Sequence, residues 1–439
     1  MTPLVKIDLV MLSHRRHRHL ESGQTIYEYG FILGSIALVV ILLLQLLGSN
    51  TKDAQCKVSR GIGGTATENG ACKMVFGQLG DFGGNAANSG GISSGSLDAP
   101  IGLTLDGAGG AYVADKSNNR VLYYPPDSTT ATRVYGQSGS FSTNTANNGG
   151  ISADSLSLPW ALALDPTGGL YVGDTGNHRV LYYPAGSTTA TRVYGQSGSF
   201  STNTANNGGI SADSLGGAGS LALDTAGGLY VGDGNNSRVL YFASRSTTAS
   251  RVYGQHGNFG CGVFNNNGAC VSGLQSADNL HGPAGLAIDS RGDLYISEDW
   301  NNRVMMFPPG STTASAVYGQ AGAFVGGANN TGGLSAASLW FPEQITVDGT
   351  DRLYVADYGN NRVLSYPRLS GCTAPNTPAS CSTADRVYGQ GGSFTTGTAN
   401  NGGISAASLD EPISVYVDPR GSLYIVDYLN NRVVVDPAQ

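Results

Sequence analysis

Hydrophobic residues come in short bursts along most of this chain, separated by Gly, Pro, Asn, Asp and Ser. Four such runs recur in a fixed order, as in Leu162–Asp165 (LALD), Leu170–Asp174 (LYVGD), Arg179–Pro184 (RVLYYP) and Arg192–Gln196 (RVYGQ). They are rich in Val, Leu and Tyr and bounded by turn residues, so each reads as a strand. The string DPTGG between the first and second runs is a turn. The stretch LYVGDTGNHRVLYYP (Leu170–Pro184) returns at Ala111–Pro125, Leu229–Phe242, Leu294–Pro308, Leu353–Pro367 and Leu423–Val435. A VFGQ marker at Val75 becomes VYGQ at Val134, Val193, Val252, Val317 and Val387, at intervals of 59, 59, 59, 65 and 70 residues. A period of this size predicts a solenoid, propeller or array. Four antiparallel strands per repeat, set radially, predict an all-β, six-bladed β-propeller over residues 74–439.

The recurring elements are a proline, an apolar strand ending in Asp, a glycine, then Leu-Tyr-Val, Ala-Asp, Asn and Arg-Val. They resemble the NHL repeat, whose domains are typically six-bladed propellers. Six copies stand here. The last stops at Val435 after its third strand, and the first is preceded by an orphan fourth strand, Met74–Gln78. The expectation is that Met74–Gln78 completes the last blade beside Arg432–Val435. Each unit is longer than the ~40–45 residues of a common propeller repeat. The surplus, such as Ser138–Ser155, predicts polar loops on the face that carries the Asp-x-x-Asn turns, with Ile151 as the apolar anchor of its loop.

The N-terminal region follows another pattern. Residues 1–23 form a basic leader, and Tyr29–Leu47 is an uncharged apolar run. Its length predicts a single membrane-spanning helix within residues 24–50. The basic flank predicts the N-terminus inside and the propeller outside. A cleaved secretory signal is the alternative. The string Gly23-Gln24-Thr25-Ile26-Tyr27-Glu28-Tyr29 resembles the processing site of Flp-type (tight-adherence) type IV pilins. That resemblance implies cleavage after Gly23, a new N-terminus at Gln24, and a role in helix assembly for Glu28 beside Tyr29. A simple anchor is the other reading. Residues 51–73 read as a linker.

Composition narrows the function. Charged residues are only 13% of the chain and the net charge is -7. Nucleic-acid binding, which needs clustered Lys and Arg, is disfavoured. Six cysteines fall into close pairs, Cys56/Cys72, Cys261/Cys270 and Cys372/Cys381. Short loops cost least to close, so three local disulfides are expected, with an extracytoplasmic location. Free or metal-binding thiols are the alternative, without support from CxxC spacing.

Repeated polar residues read as structural. Asp115, Asp174, Asp233, Asp357 and Asp427, with Glu298 in the fourth copy, each stand five residues before an arginine. A unique site must break this pattern, and the most variable positions surround the proline that opens each first strand. Candidate ligand-binding residues there are Asp98, Trp160, His281, Trp340, Phe341, Glu343, Gln344, Asp410 and Glu411. Aromatics with convergent polar groups suit a small ligand or a glycan. The NHL resemblance also brings in propeller lactonases and lyases that hold a metal in the channel. Zinc is disfavoured by the scattered histidines, no cofactor is expected, and calcium would draw on Asp98, Glu343, Asp410 and Glu411.

The sequence therefore predicts a bacterial cell-surface protein, anchored through residues 29–47 and in the pilin-like reading associated with pilin-like subunits. Its propeller would bind a protein or glycan on the loop-rich face. A metal-dependent lactonase or lyase at the channel mouth and a structural part of a secretion or pilus assembly are the alternatives.

Overall fold

A computed structural model of the chain describes residues 65–66, 72–368 and 382–437. The apolar run 29–47, the pilin-like residues Gly23, Gln24, Glu28 and Tyr29, and the cysteines Cys56, Cys372 and Cys381 lie outside them. Among the described residues no helix is long and apolar enough to cross a membrane.

Six sheets radiate around a central axis, each built from strands of the predicted runs. Blade 2 is representative: Pro159–Leu164 innermost, then Leu170–Asp174, Arg179–Tyr183 and Arg192–Gly195. All neighbours are antiparallel, with Leu162 opposite Val172 and Val172 opposite Leu181. The innermost strands of successive blades contact one another, and the sixth, Pro412–Val417, contacts the first, Pro100–Leu105. The ring is closed. Second strands such as Leu170–Asp174 are buried along their whole length, because both faces of a blade are covered by its neighbours.

The closure matches the expectation, with a shift of bounds. The strand Cys72–Phe76 pairs with Arg432–Asp436 in the register Met74–Val435, Val75–Val434 and Phe76–Val433. Thr65–Ala66, within the segment read as a linker, adds a fifth strand to the outer edge of this sheet. Gln78 stands beyond the strand and donates from its amide to the carbonyls of Asn430 and Asn431.

The apolar core lies between blades. Tyr112, Ala114, Val121 and Tyr135 of blade 1 pack with Leu162, Leu170, Val172, Leu181 and Tyr183 of blade 2. At five junctions an aromatic pair meets edge-on, with centroids 4.8–5.5 Å apart: Phe76–Tyr124, Tyr135–Tyr183, Tyr194–Phe242, Tyr253–Phe307 and Tyr318–Tyr366. At the junction of blades 5 and 6 the repeat places Asp436 where the others carry Tyr or Phe. A cavity of about 180 Å³ opens there beside Tyr388, Leu409, Val434 and Asp436.

Each repeated Asp–Arg pair is a fully buried node. In blade 2, Arg179 Nε donates to Asp174 Oδ2 at 2.7 Å, and both side chains are completely inaccessible. The remaining guanidinium donors reach the carbonyls of Phe200, Ser152 and Ser155. Asp174 also accepts from Asn177 Nδ2 and from the backbone N–H of Ser157. Glu298–Arg303 builds the same node in blade 4. One buried charge pair thus ties a blade's second and third strands to the long loops on either side. Those loops do lie over the Asp-x-x-Asn turns, as Asn119 Nδ2 bonding to Asn144 O shows. Their anchor differs from the expectation. Ile151 is half-buried, whereas Leu156, Leu97, Leu215 and Leu280 are fully buried. The anchoring apolar group comes just before the innermost strand, where it enters the core between blades.

Candidate functional site

The innermost strands line an axial channel with residues such as Leu162, Leu286, Ile345 and Val415. One mouth of it is rimmed by two rings of side chains. The first follows the opening proline: Ile101, Trp160, Gly219, Ala284, Glu343 and Ile413. The second follows each repeated Asp or Glu: Lys116, Thr175, Gly234, Asp299, Tyr358 and Tyr428.

The rim is regular where a left-handed asparagine staples one blade to the next. Asn119 Oδ1 accepts from Leu158 N at 2.9 Å, and Asn302 from Phe341 N at 2.8 Å. Asn361 likewise holds Glu411 N, and Asn431 holds Ala99 N. The stapled residue precedes proline, which disfavours the right-handed helical region. It takes a positive φ instead, 49° at Phe341 and 51° at Glu411. The pattern breaks in two places. His178 and Ser237 replace the asparagine, and the residues before the next strands become Gly217 and Gly282. His178 Nδ1 bonds instead to Gly216 O at 2.7 Å.

At this break a cavity of about 270 Å³ opens, lined by Trp160, Thr175, Gly217, Gly219, Gly234, Asn235, Gly282, Pro283, Ala284, Asp299, Trp300 and Glu343. Blade 3 contributes glycines where other blades carry side chains, and a Cβ at Gly219 would meet nothing within 4 Å. Gly282 is required differently: its φ is 63°, and a Cβ there would stand 2.0 Å from Asp299 Oδ1. Asp299 is thereby seated deep in the wall.

Electrostatics distinguish this cavity. Burial lifts the Glu343 carboxyl to about 8, with the neighbouring Asp299 charge adding to the rise and Lys116 opposing it. Burial lifts Asp299 to about 7, offset in part by the hydrogen bond from Trp300 N and raised further by Glu298. Among the described residues no group donates a hydrogen bond to the Glu343 carboxyl. Lys116 is held 4.6 Å from the centroid of the Trp160 ring, and burial lowers its ammonium below the usual lysine value.

An aromatic ledge continues outward from the cavity. Phe264 stacks on His281 at 4.5 Å, His281 stacks on Trp300 at 5.8 Å, and Trp300 meets Phe341 edge-on at 5.4 Å. Trp300 is 58% exposed and Phe264 47% exposed. Phe264 is presented by a loop that the Cys261–Cys270 disulfide closes.

The residues expected at the mouth divide into four groups. Trp160 and Glu343 line the cavity, and His281 and Phe341 belong to the ledge. Gln344 points into the channel and donates to Gly219 O and Ala284 O, joining blades 3, 4 and 5. The other four do not line the cavity. The Trp340 ring covers Gly359, where a Cβ would lie 2.6 Å from it. Asp98 and Asp410 each accept from a loop asparagine, Asn88 and Asn400. Glu411 accepts from the Tyr358 hydroxyl. The four carboxylates suggested for calcium therefore do not converge. Among the described residues, no three His, Cys, Asp or Glu side chains are grouped to hold a metal ion. Lys116, Asp299 and Trp300 were not singled out from the sequence. They lie in the turn after the repeated acid, at two adjacent positions reading Lys, Thr, Gly, Asp, Tyr, Tyr and Ser, Gly, Asn, Trp, Gly, Leu through the six copies. That variation was the available signal.

Comparisons with known proteins speak to the architecture. The NHL repeat pattern matches residues 156–183 and 339–366. No curated protein matches the chain. A structural genomics protein of unknown function from Bacteroides thetaiotaomicron is similar at 16% identity and a TM-score of 0.52, over 83% of this chain and 75% of that one. Virginiamycin B lyase from Staphylococcus aureus aligns at 10% identity and a TM-score of 0.40, over 83% and 98%. A streptogramin B lyase aligns at 13% and 0.45, over 83% and 97%. At these identities the first supports the fold alone, and the two lyases carry no argument about chemistry. The chain is a six-bladed β-propeller that carries NHL repeats.

Proposed function

We propose that the propeller is a binding module displayed outside the cytoplasm, and that it holds its ligand in the cavity at the channel mouth. The observation that carries this reading is the convergence of Trp160, Trp300, Asp299 and Glu343, from three blades, on a recess opened by the glycines of a fourth. A recess mostly apolar with a few converging polar groups is the usual form of a ligand site. The Cys261–Cys270 disulfide is in keeping with an oxidising compartment. Anchoring through residues 29–47, and with it any part in a pilus or secretion assembly, rests on the sequence pattern alone.

A thermal-shift screen of the full-length chain against small amines, acids and saccharides tests the reading. A ligand at about 100 times its dissociation constant adds about 2.7 kcal/mol to stability. The expected result is a stabilising compound whose effect is lost in Trp300→Ala. Undiminished stabilisation of that variant would move the site elsewhere.

A second reading, proton-transfer catalysis in the same recess, is favoured by the two carboxyls raised toward neutrality. Its test is chemical change of the bound compound, lost in Asp299→Asn.

A further inference from the structure

We infer that the ligand group taken by this recess is an organic cation, an ammonium carried on a small apolar body, paired with Asp299 and Glu343 and seated against Trp160 and Trp300. The inference rests on the reading of the mouth as a binding site and names the chemistry of what enters.

Charge is the first argument. Two carboxylates line the recess, and none of its lining residues is Lys or Arg. The nearest ammonium, Lys116, is engaged with the faces of Trp160 and Tyr428, at 4.6 and 5.9 Å from their centroids. An anionic ligand would meet two like charges at close range. A cation entering beside them supplies the counter-charge that the fold leaves out.

The walls are the second argument. Cations are attracted to the faces of aromatic rings, tryptophan most strongly, and more so when desolvated. Trp160 already holds an ammonium in this way, so the mouth demonstrably suits that contact. Trp300 offers the second tryptophan surface on the far side of the glycine wall. Gly217, Gly219 and Gly234 contribute no side chain, which leaves room for an ammonium bearing several carbons. The polar side chains remaining are few: the Asn235 amide is spent on Gly216 O, and Thr175 donates to Ala218 O. A polyhydroxylated ligand would find few donors unspent.

The groups facing the carboxylates are Lys116, Glu298, Tyr358 and, behind Trp300, His281. Glu298 is committed to Arg303 and Asn301, and burial lowers the His281 imidazole below its usual value. Ionisation of Asp299 and Glu343, at about 7 and about 8, falls between pH 6 and 9. For a quaternary ammonium, whose charge is fixed, affinity should rise with pH across that interval.

The test is calorimetric titration of the full-length chain with choline and with its neutral isostere, 3,3-dimethylbutan-1-ol, from pH 6 to 9. Choline is expected to bind about tenfold or more tightly than the isostere. Its affinity should rise with pH and fall about tenfold in Glu343→Gln and in Asp299→Asn. Equal affinity for the isostere would overturn the cation while leaving an apolar binding site in place. So would a saccharide that binds in a Trp300-dependent way when choline does not. Absence of saturable choline binding at every pH would also overturn the inference. Choline affinity unchanged in Glu343→Gln, Asp299→Asn and Trp300→Ala would sink the site itself.

Discussion

Glu298 and Asp299 are consecutive carboxylates in blade 4, and they belong to different regions of the molecule. Glu298 sits in a node: it accepts from Arg303 Nε, Asn301 Nδ2 and His281 N, and no part of its side chain reaches solvent. Asp299, one residue later, lines the mouth, and its carboxyl accepts from the backbone N–H of Trp300. The node surrounds its charge with donors, so burial is tolerated there. The mouth half-buries its two carboxyls with fewer donors than a node supplies, which burdens the fold and equips a site. Repetition explains the difference. A residue that serves every blade can be satisfied by groups that every blade supplies. A residue that appears once has no such provision, and its missing partner must come from elsewhere.

The sharpest way to break this contrast is to disturb a node. Arg179→Met leaves Asp174 buried without its cation, and breaking a buried pair in this way costs about 3–5 kcal/mol. A fall of that size should appear in denaturant unfolding, and a loss below 1 kcal/mol would remove the distinction drawn here. Next in size is the staple of the ledge. Replacing Cys261 and Cys270 by serine releases a short loop, worth about 2–3 kcal/mol on the chain-entropy relation. Unfolding of the double variant should report it, together with loss of Phe264 from the stack on His281. A smaller effect of opposite sign is expected at the junction of blades 5 and 6. Asp436→Phe would place a ring against Tyr388 and complete the sixth aromatic pair, adding about 0.5–1.5 kcal/mol. A lowered melting temperature would show that the cavity there does not accept it.

The last prediction is a slope. The Glu343 and Asp299 carboxyls are raised in the fold, so between the unfolded carboxylate values near 4 and the folded values near 7 and 8 the folded chain holds more protons. Their contribution to stability is complete below about pH 4 and is lost as pH rises through those folded values. Glu343→Gln should flatten that decline while leaving stability in acid little changed. A wild-type profile that rises from pH 5 to 9, unaltered by the substitution, would contradict the assigned environment.

How much of this was legible follows from the same contrast. Strand alternation, turn glycines and the Asp–Arg spacing act locally and recur, so the blades, their number and the closing partner of Val75 could be read directly. The structural role of Asp174 and Arg179 followed from their repetition, though not their complete burial. The mouth depends on which residue fails to repeat, and two kinds of failure were visible to different degrees. Changes beside the opening proline stood out, and Trp160 and Glu343 were found there. Asp299 and Trp300 sit inside LYISEDWNNR, a motif whose regular members drew attention away from its variable ones. The opening itself comes from His178 and Ser237 standing where asparagine staples the other blades. Substitutions so far along the chain from Trp160 and Trp300 give no hint of this until the blades are set side by side.

The closing sheet has a bearing on how the molecule is made. Val75 is among the first of the propeller's residues to leave the ribosome, and its hydrogen-bonding partner Val434 is among the last. Until then the early strand carries unsatisfied backbone donors and acceptors along one edge, the condition under which chains aggregate. The nascent protein must therefore keep that edge occupied or shielded until the sixth blade is made, whose third strand acts as the latch.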